Sequence, residues 1–113
     1  MKKIFTLVIL TLIVLAIAHN PDALAADTSN GAKIFSANCA ACHMDGGNIV
    51  KRGKNLKQKA LKRYDMDSLE AIAYLVENGK NAMPAYKDRL SNQQILNVSA
   101  YVLEQAAAGW KSS

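Results

Sequence analysis

The chain has 113 residues, of which 50% are hydrophobic and 20% charged, and its 14 Lys and Arg against 9 Asp and Glu give a formal charge of +5. This length allows one small domain and excludes a multidomain protein. The balance of apolar and charged residues is that of a globular chain, which excludes a disordered or collagen-like one.

Residues 1–25 have the pattern of a secretory signal. Two lysines at its start precede an apolar run from residue 4 to residue 18, and small residues follow at 23–25. A membrane anchor is the rival interpretation, but an anchor needs about 20 apolar residues, and this run is shorter and followed by Pro21. We expect cleavage after Ala25, which leaves residues 26–113 as a single domain.

Helical periodicity recurs along the remaining chain, and no segment alternates with the period of a strand. The first helix is expected to follow Thr28 or Ser29 as its cap and to reach about Asn38. A weaker helix is expected over residues 56–64. The prediction is an all-α fold.

The next helix is expected to begin at Asp67 or Ser68, with Glu70 placed as the capping-box partner of Asp67. Gly79 should end it, because glycine adopts the left-handed conformation without a Cβ clash.

The last helix has the clearest local signal. Ser91 and Gln94 have the spacing of a capping box, and Leu90 and Ile95 have the spacing of a hydrophobic staple. Apolar residues then continue at helical spacing as far as Ala106.

The motif C-x-x-C-H at residues 39–43 is typical of covalent haem attachment. Two thiols at this spacing can each add to one vinyl group of a haem, and His43 can then bind the iron. A thioredoxin-like pair would need a βαβ setting, zinc would find only three ligands, and chance is the remaining alternative. We predict one covalently bound haem c per chain, attached at Cys39 and Cys42, in an exported protein.

Removal of the leader would leave His43 as the one histidine of the chain. The opposite face of the iron must then be empty or bound by methionine, or less usually by Lys, Tyr or the amino terminus. Met44 adjoins His43 and cannot easily reach that face, whereas Met66 lies in a loop that could approach. Met83 is followed by Pro84, which favours a stiff, extended loop. We predict His43 and Met83 as axial ligands; filling an apolar gap is the ordinary structural alternative for such a methionine.

An iron bound on both faces has no position for peroxide or oxygen, so the prediction is a one-electron carrier. No catalytic residue is predicted, and the chain is not expected to be an enzyme. Two alternatives stay open: a haem protein with an open iron, which would bind small gases or peroxide, and a thiol–disulfide protein without haem.

A basic segment at residues 51–63 contains seven positive charges and no acidic residue. It is either a solvated face or a surface that attracts an acidic protein partner. Export and the lack of interleaved aromatic residues disfavour nucleic acid. The seven residues are Lys51, Arg52, Lys54, Lys57, Lys59, Lys62 and Arg63.

Several segments of residues 26–113, in the same order and at similar spacing, together resemble cytochrome c6, the soluble photosynthetic electron carrier of cyanobacteria and algae. They are Gly31-Ala32-Lys33-Ile34-Phe35, Asn38 to His43, Gly46-Gly47-Asn48, Val76 to Lys80, Ala82-Met83-Pro84-Ala85, Arg89-Leu90-Ser91 and Ala100-Tyr101-Val102.

The resemblance implies a class I cytochrome c fold, a His/Met-ligated haem and residence in the thylakoid lumen or periplasm, with no membrane span after cleavage. It also implies transfer of electrons from the cytochrome b6f complex to photosystem I or a terminal oxidase. Gly31 and Phe35 would pack against Tyr101, and Arg89 resembles an arginine used in docking.

Leu75 departs from the family pattern, which usually has Gln at this position, and Tyr86 is a milder variation. Divergent c6-like branches have an aliphatic residue in place of the Gln and tend toward lower potentials. A bare burial argument predicts the reverse, because loss of a polar group should disfavour the oxidised, more positive haem. An alternative function is therefore a low-potential carrier that serves another lumenal acceptor.

Overall fold

The computed structural model describes residues 25–111, so the predicted leader lies outside the described residues except for Ala25. The chain forms five α-helices over these residues. They are α1 (Thr28–Asn38), α2 (Ala40–His43), α3 (Gln58–Arg63), α4 (Leu69–Asn78) and α5 (Asn92–Ala108), with a 3-10 turn at Met44–Gly46 between α2 and α3. In this described part the one extended pairing is an isolated bridge between Lys80 and Met83.

The first and last helices cross at Gly31. A Cβ added there would lie 2.8 Å from the Cβ of Tyr101 and would overlap the carbonyl oxygen of Asn97, so only glycine allows this approach. The Phe35 and Tyr101 rings lie 5.4 Å apart at the same crossing. The predicted packing of these residues is confirmed.

Asn97 ties the start of α1 to α5 from a buried position, with only 6% of its surface exposed. Its Oδ1 accepts a hydrogen bond from the Asp27 backbone N–H at 2.9 Å, and its Nδ2 donates to Asn30 Oδ1 at 3.0 Å. A buried amide with these partners avoids the cost of an unsatisfied polar group. Nothing in the sequence pattern indicated this role.

The capping predictions have mixed outcomes. Ser91 and Gln94 form the predicted capping box of α5, with hydrogen bonds of 2.8 and 3.1 Å. Ser68 caps α4, and its side chain accepts a hydrogen bond from the Ala71 N–H. A cap at Ser68 makes Ala71 the third helical residue, so the predicted capping box between Asp67 and Glu70 is wrong.

The cap of α1 is Asp27, not Thr28 or Ser29, and its carboxylate accepts from the Asn30 N–H at 3.0 Å. The weaker helix predicted over residues 56–64 forms as α3, and it buries Ala60 and Leu61.

The core lies between α1, α4 and α5 and is closed by α3 and the loop after α4. Its buried residues are Ile34, Phe35, Leu61, Ile72, Val76, Tyr86, Ile95, Val98, Val102 and Ala106. Across residues 25–111, none of the helices combines the length and the apolar character needed to cross a bilayer.

Candidate cofactor site

The C-x-x-C-H motif occupies a single tight turn. α1 ends at Asn38, the chain bends at Cys39 (φ −118°, ψ −31°), and α2 follows. The N–H groups of Cys42 and His43 both donate to the Cys39 carbonyl, at 3.2 and 2.9 Å. Cys39 is half-buried, Cys42 is exposed, and both are free cysteines in this structure. The turn therefore gathers two thiols and one imidazole in five consecutive residues.

The His43 imidazole is oriented by a backbone carbonyl. Its Nδ1 lies 2.8 Å from the carbonyl oxygen of Gly47. Because a carbonyl only accepts, Nδ1 must carry the hydrogen, which leaves the lone pair on Nε2. A histidine that binds a metal almost always donates its other ring N–H in this way. His43 thus fits the requirements of an iron ligand through Nε2.

The loop that supplies this carbonyl is held by Trp110, which the sequence pattern did not indicate. The Trp110 indole Nε1 donates to the Leu56 carbonyl at 2.9 Å, and the Leu56 N–H donates to the Gly46 carbonyl at 2.8 Å. Gly46 has φ +78°, and a Cβ there would lie 2.5 Å from the indole ring. The C-terminal end of the chain therefore fixes the turn beside His43.

Apolar side chains are exposed directly after this turn. Ile49 and Val50 are 70% and 61% exposed, and the Ile49 N–H donates to the Cys42 carbonyl at 3.1 Å. These two side chains leave apolar surface open to solvent beside the two thiols. A planar apolar group attached at the cysteines fits this surface chemically.

Met83 lies on a short loop between α4 and α5. Two hydrogen bonds of 3.0 Å join Lys80 and Met83, and Met83 is half-buried against the core. Gly79 ends α4 as predicted, but its φ of +69° and ψ of 174° lie outside the predicted left-handed helical conformation, in a positive-φ region that is essentially restricted to glycine. A Cβ at Gly79 would lie 2.7 Å from the Met83 carbonyl oxygen, so glycine allows the loop to fold back closely.

Tyr86 joins the Met83 loop to the cysteine motif. Its O–H donates to the Asn38 carbonyl at 3.0 Å across 48 residues of sequence. The pKa of the Tyr86 phenol is raised, chiefly by burial and further by the neighbouring Cys39. Arg89 acts in the opposite direction and lowers this pKa. The structure thus joins the Met83 loop to the motif through a bond between Tyr86 and Asn38 that the sequence did not predict.

The thiol of Cys39 lacks the character of a reactive redox cysteine. Burial, together with the charge of Cys42, raises the pKa of Cys39 to about 11. Catalytic dithiols have the opposite property, a lowered pKa that favours the thiolate. This difference disfavours the thiol–disulfide alternative.

The other two methionines of the described residues occupy different positions. Met44 is 68% exposed. Met66 is half-buried against the core, and its N–H donates to the Leu61 carbonyl at 2.7 Å. Half-burial alone therefore does not decide between Met66 and Met83 as the candidate iron ligand. The bond from Tyr86 to Asn38 connects the Met83 loop to the cysteine motif, and this connection favours Met83.

Each basic residue of the 51–63 segment is exposed, from Lys51 to Arg63. The residues follow the loop after the motif and the outer face of α3. Arg89 is also exposed but lies on the Met83 loop, with its guanidinium carbon 5.4 Å from the centre of the Tyr86 ring. The candidate docking residues therefore come from two separate parts of the chain.

Leu75 lies on α4 and is half-buried. Its carbonyl accepts the Gly79 N–H at 2.7 Å, so its backbone helps to end the helix beside the Met83 loop. This position places the departure from the family pattern next to the loop that carries Met83.

Comparisons with known proteins give a consistent result. The family profile described as cytochrome C oxidase, cbb3-type, subunit III matches residues 26–102. The protein named cytochrome c6-like from a Nostoc species is 57% identical over 111 residues, which cover 98% of this chain and 100% of the relative. Cytochrome c6 of Thermosynechococcus vestitus is 56% identical over 110 residues, or 97% of this chain and 98% of the relative.

Among solved structures, cytochrome c6 of the diatom Phaeodactylum tricornutum superposes with a TM-score of 0.73 at 48% identity. The match covers 74% of this chain and 99% of the diatom chain.

Proposed function

The chain belongs to the cytochrome c6 family, and from this membership and the geometry of the cofactor site we propose that it carries single electrons between exported redox partners through a haem iron bound on both faces. Family members are electron carriers with covalent haem c and are not enzymes, so the predictions of a carrier, of haem c and of an all-α class I cytochrome c fold are confirmed. The matching profile is named for an oxidase subunit, but the two compared relatives, named cytochrome c6-like and cytochrome c6, align over 98% and 97% of this chain.

The orientation of His43 carries the proposal. The 2.8 Å contact from Nδ1 to the Gly47 carbonyl leaves Nε2 as the ligand atom, in the same turn as the two cysteines. We assign Cys39 and Cys42 as the thioether attachment points and His43 as one axial ligand. The cofactor supplies a one-electron change between ferrous and ferric iron.

Met83 is the proposed ligand of the opposite face. Three features support it: the paired hydrogen bonds with Lys80, the glycine that lets the loop fold back, and the Tyr86 connection to the end of α1. The stiff loop would hold the Met83 sulfur in one position, and this would limit reorganisation when a bound haem iron gains or loses an electron. Thioether ligation also favours the reduced iron and raises the potential.

The proposed partners are the cytochrome b6f complex as donor and photosystem I or a terminal oxidase as acceptor, in a thylakoid lumen or periplasm. Residues 1–25 would direct export and be removed after Ala25. The exposed basic segment and Arg89 supply positive charge that would attract an acidic protein surface and accelerate encounter.

A second candidate function rests on Leu75. The aliphatic side chain stands where family members usually have Gln, and the compared Nostoc protein is named cytochrome c6-like. In this second reading the chain is a low-potential carrier for a different lumenal acceptor. The midpoint potential of the purified holoprotein separates the two functions.

Attachment of the haem tests the central proposal directly. The exported protein, unfolded in acid and detergent, should keep its haem and show no free thiol, because both sulfurs are in thioether bonds. Cys39→Ala and Cys42→Ala should each leave one bond, and the double variant should lose haem completely on unfolding. Clean extraction of haem from the wild-type chain, with two free thiols, would overturn the assignment.

A further inference from the structure

Tyr86 makes hydrogen bonds in addition to the apolar packing of an aromatic core residue. Its side chain is only 7% exposed, and its hydroxyl donates to the Asn38 carbonyl at 3.0 Å. Its backbone N–H donates to the Val76 carbonyl at 2.9 Å. The residue is thus anchored to α4 through its backbone and to the end of α1 through its hydroxyl.

The bend at Cys39 explains why the Asn38 carbonyl accepts this bond. In a continuous helix the carbonyl of Asn38 would receive the N–H of Cys42, four residues later. The Cys42 N–H instead donates to Cys39 at 3.2 Å. The last carbonyls of a helix need partners from outside it, and the Tyr86 hydroxyl provides one directly before the first attachment cysteine.

The same hydroxyl bond spans the two halves of the proposed iron coordination. Met83 is three residues before Tyr86, and Cys39 is the residue after Asn38. Along the chain, α3 and α4 separate the two segments. The hydrogen bond is therefore a direct mechanical link between the loop with the sulfur ligand and the turn with the attachment sites.

Arg89 covers the outer side of this link. Its guanidinium carbon lies 5.4 Å from the centre of the Tyr86 ring, and its backbone N–H donates to the Tyr86 carbonyl at 2.9 Å. The ring is held between the core and this cation, so the hydroxyl has little freedom to turn away from Asn38.

From these contacts we propose that Tyr86 is a positioning residue whose hydroxyl holds the Met83 loop closed against the cysteine motif and so keeps the sulfur on the iron. The inference rests on the proposed function in one respect, namely that Met83 is the axial ligand. Loss of one hydrogen bond of this kind shifts an opening equilibrium by roughly three- to tenfold.

The test compares Tyr86→Phe with wild type in the oxidised holoprotein. Imidazole competes with the sulfur for the iron, and its binding is followed by loss of the far-red sulfur-to-iron band. We expect Tyr86→Phe to bind imidazole roughly three- to tenfold more tightly. Tyr74→Phe, which removes a hydroxyl from a side chain that is 70% exposed, is the matched control and should leave binding unchanged.

Val102→Ala distinguishes a general loss of stability from the specific loss of the Tyr86 link. It shortens a core side chain on α5 that is only 5% exposed. This variant should lower the urea midpoint without raising imidazole affinity. Equal imidazole affinity in Tyr86→Phe and wild type, or an equal rise in Val102→Ala, would overturn the proposal.

Amide hydrogen exchange provides a measurement that does not depend on which residue binds the iron. The Met83 N–H, which donates to Lys80 at 3.0 Å, should exchange roughly three- to tenfold faster in Tyr86→Phe, because the loop opens more often. Unchanged exchange contradicts the link itself. If Tyr86→Phe exchanges faster but the wild-type holoprotein shows no far-red sulfur-to-iron band, the link between Tyr86 and the motif is supported. Met83 is then contradicted as the iron ligand.

Discussion

The two sides of the cofactor site are built in different ways. On the motif side, residues 38–47 contain both cysteines, the histidine and the carbonyl that orients it, and short-range hydrogen bonds fix them. On the methionine side, Met83 depends on a loop whose position is set by contacts with distant elements, including the 48-residue span from Tyr86 to Asn38. The motif itself is therefore gathered by bonds local in sequence, with Trp110 bracing the loop behind it, whereas the position of Met83 relative to the motif depends on contacts between distant elements.

This difference has a consequence for stability. Covalent attachment and a one-turn helix keep the motif side intact even when distant contacts weaken. The methionine side opens whenever its loop separates from the motif, and loops held by few long-range contacts open at low free energy. Perturbations of the contacts that hold this loop should therefore affect the proposed sulfur ligand first and the attachment last.

Replacement of the Met83 sulfur should give the largest effect of the predicted substitutions, because it removes the proposed ligand itself. We expect Met83→Ala to abolish the far-red sulfur-to-iron band, to allow rapid cyanide binding and to lower the midpoint potential by on the order of 0.1 V, because thioether ligation favours the reduced iron. Covalent haem should remain. Absorption spectroscopy and redox titration measure these effects.

Met66→Ala is the matched control, since Met66 is also half-buried against the core. It should keep the band and the potential. A band that survives in Met83→Ala and disappears in Met66→Ala would reverse the ligand assignment.

The contrast between the two sides also explains what the sequence could predict. Five consecutive residues have a chemical meaning that does not depend on the fold, so the motif was identified from its spacing. The capping box at Ser91 was predicted for the same reason, because both partners lie within one turn.

Long-range partners had no such signal. Three side chains form hydrogen bonds to residues at least 48 positions away in the sequence: the amide of Asn97, the indole of Trp110 and the hydroxyl of Tyr86. Their residue types are compatible with many roles, and only the packing of the helices selects one. The cap at Asp27 was missed because three neighbouring polar residues are all acceptable caps.

Surface charge tests whether docking uses one side of the molecule more than the other. Lys57→Glu with Lys59→Glu reverses two exposed charges in the basic segment, and Arg89→Gln removes one on the methionine side. We expect the double variant to slow association with an acidic acceptor by about two- to fivefold at low ionic strength, with a smaller effect of Arg89→Gln, because nearby charges steer encounter.

Stopped-flow kinetics over a range of ionic strength measures this effect. Lys33→Glu with Lys111→Glu, which reverses two exposed charges outside the basic segment, makes the same change in net charge and is the control for net charge alone. Wild-type rates that stay constant or increase with added salt would remove the docking role of the basic segment.

The smallest predicted effect is at Leu75, whose backbone meets the methionine side through the Gly79 N–H at 2.7 Å. Following the family pattern, Leu75→Gln should raise the midpoint potential. One hydrogen bond of about 0.5–1.5 kcal/mol corresponds to a shift of roughly 20–60 mV for one electron. Leu75→Met conserves volume without adding a polar group and should leave the potential near that of wild type.

Redox titration of these two variants separates a polar effect from a packing effect at one position. A rise in Leu75→Gln alone supports the low-potential function of the natural chain, because the aliphatic residue then accounts for the difference from family members with Gln. A fall would mean that burial dominates, since a polar neighbour would then stabilise the oxidised, more positive haem. The methionine side would in that case be tuned by exclusion of water around α4, and not by hydrogen bonding from position 75.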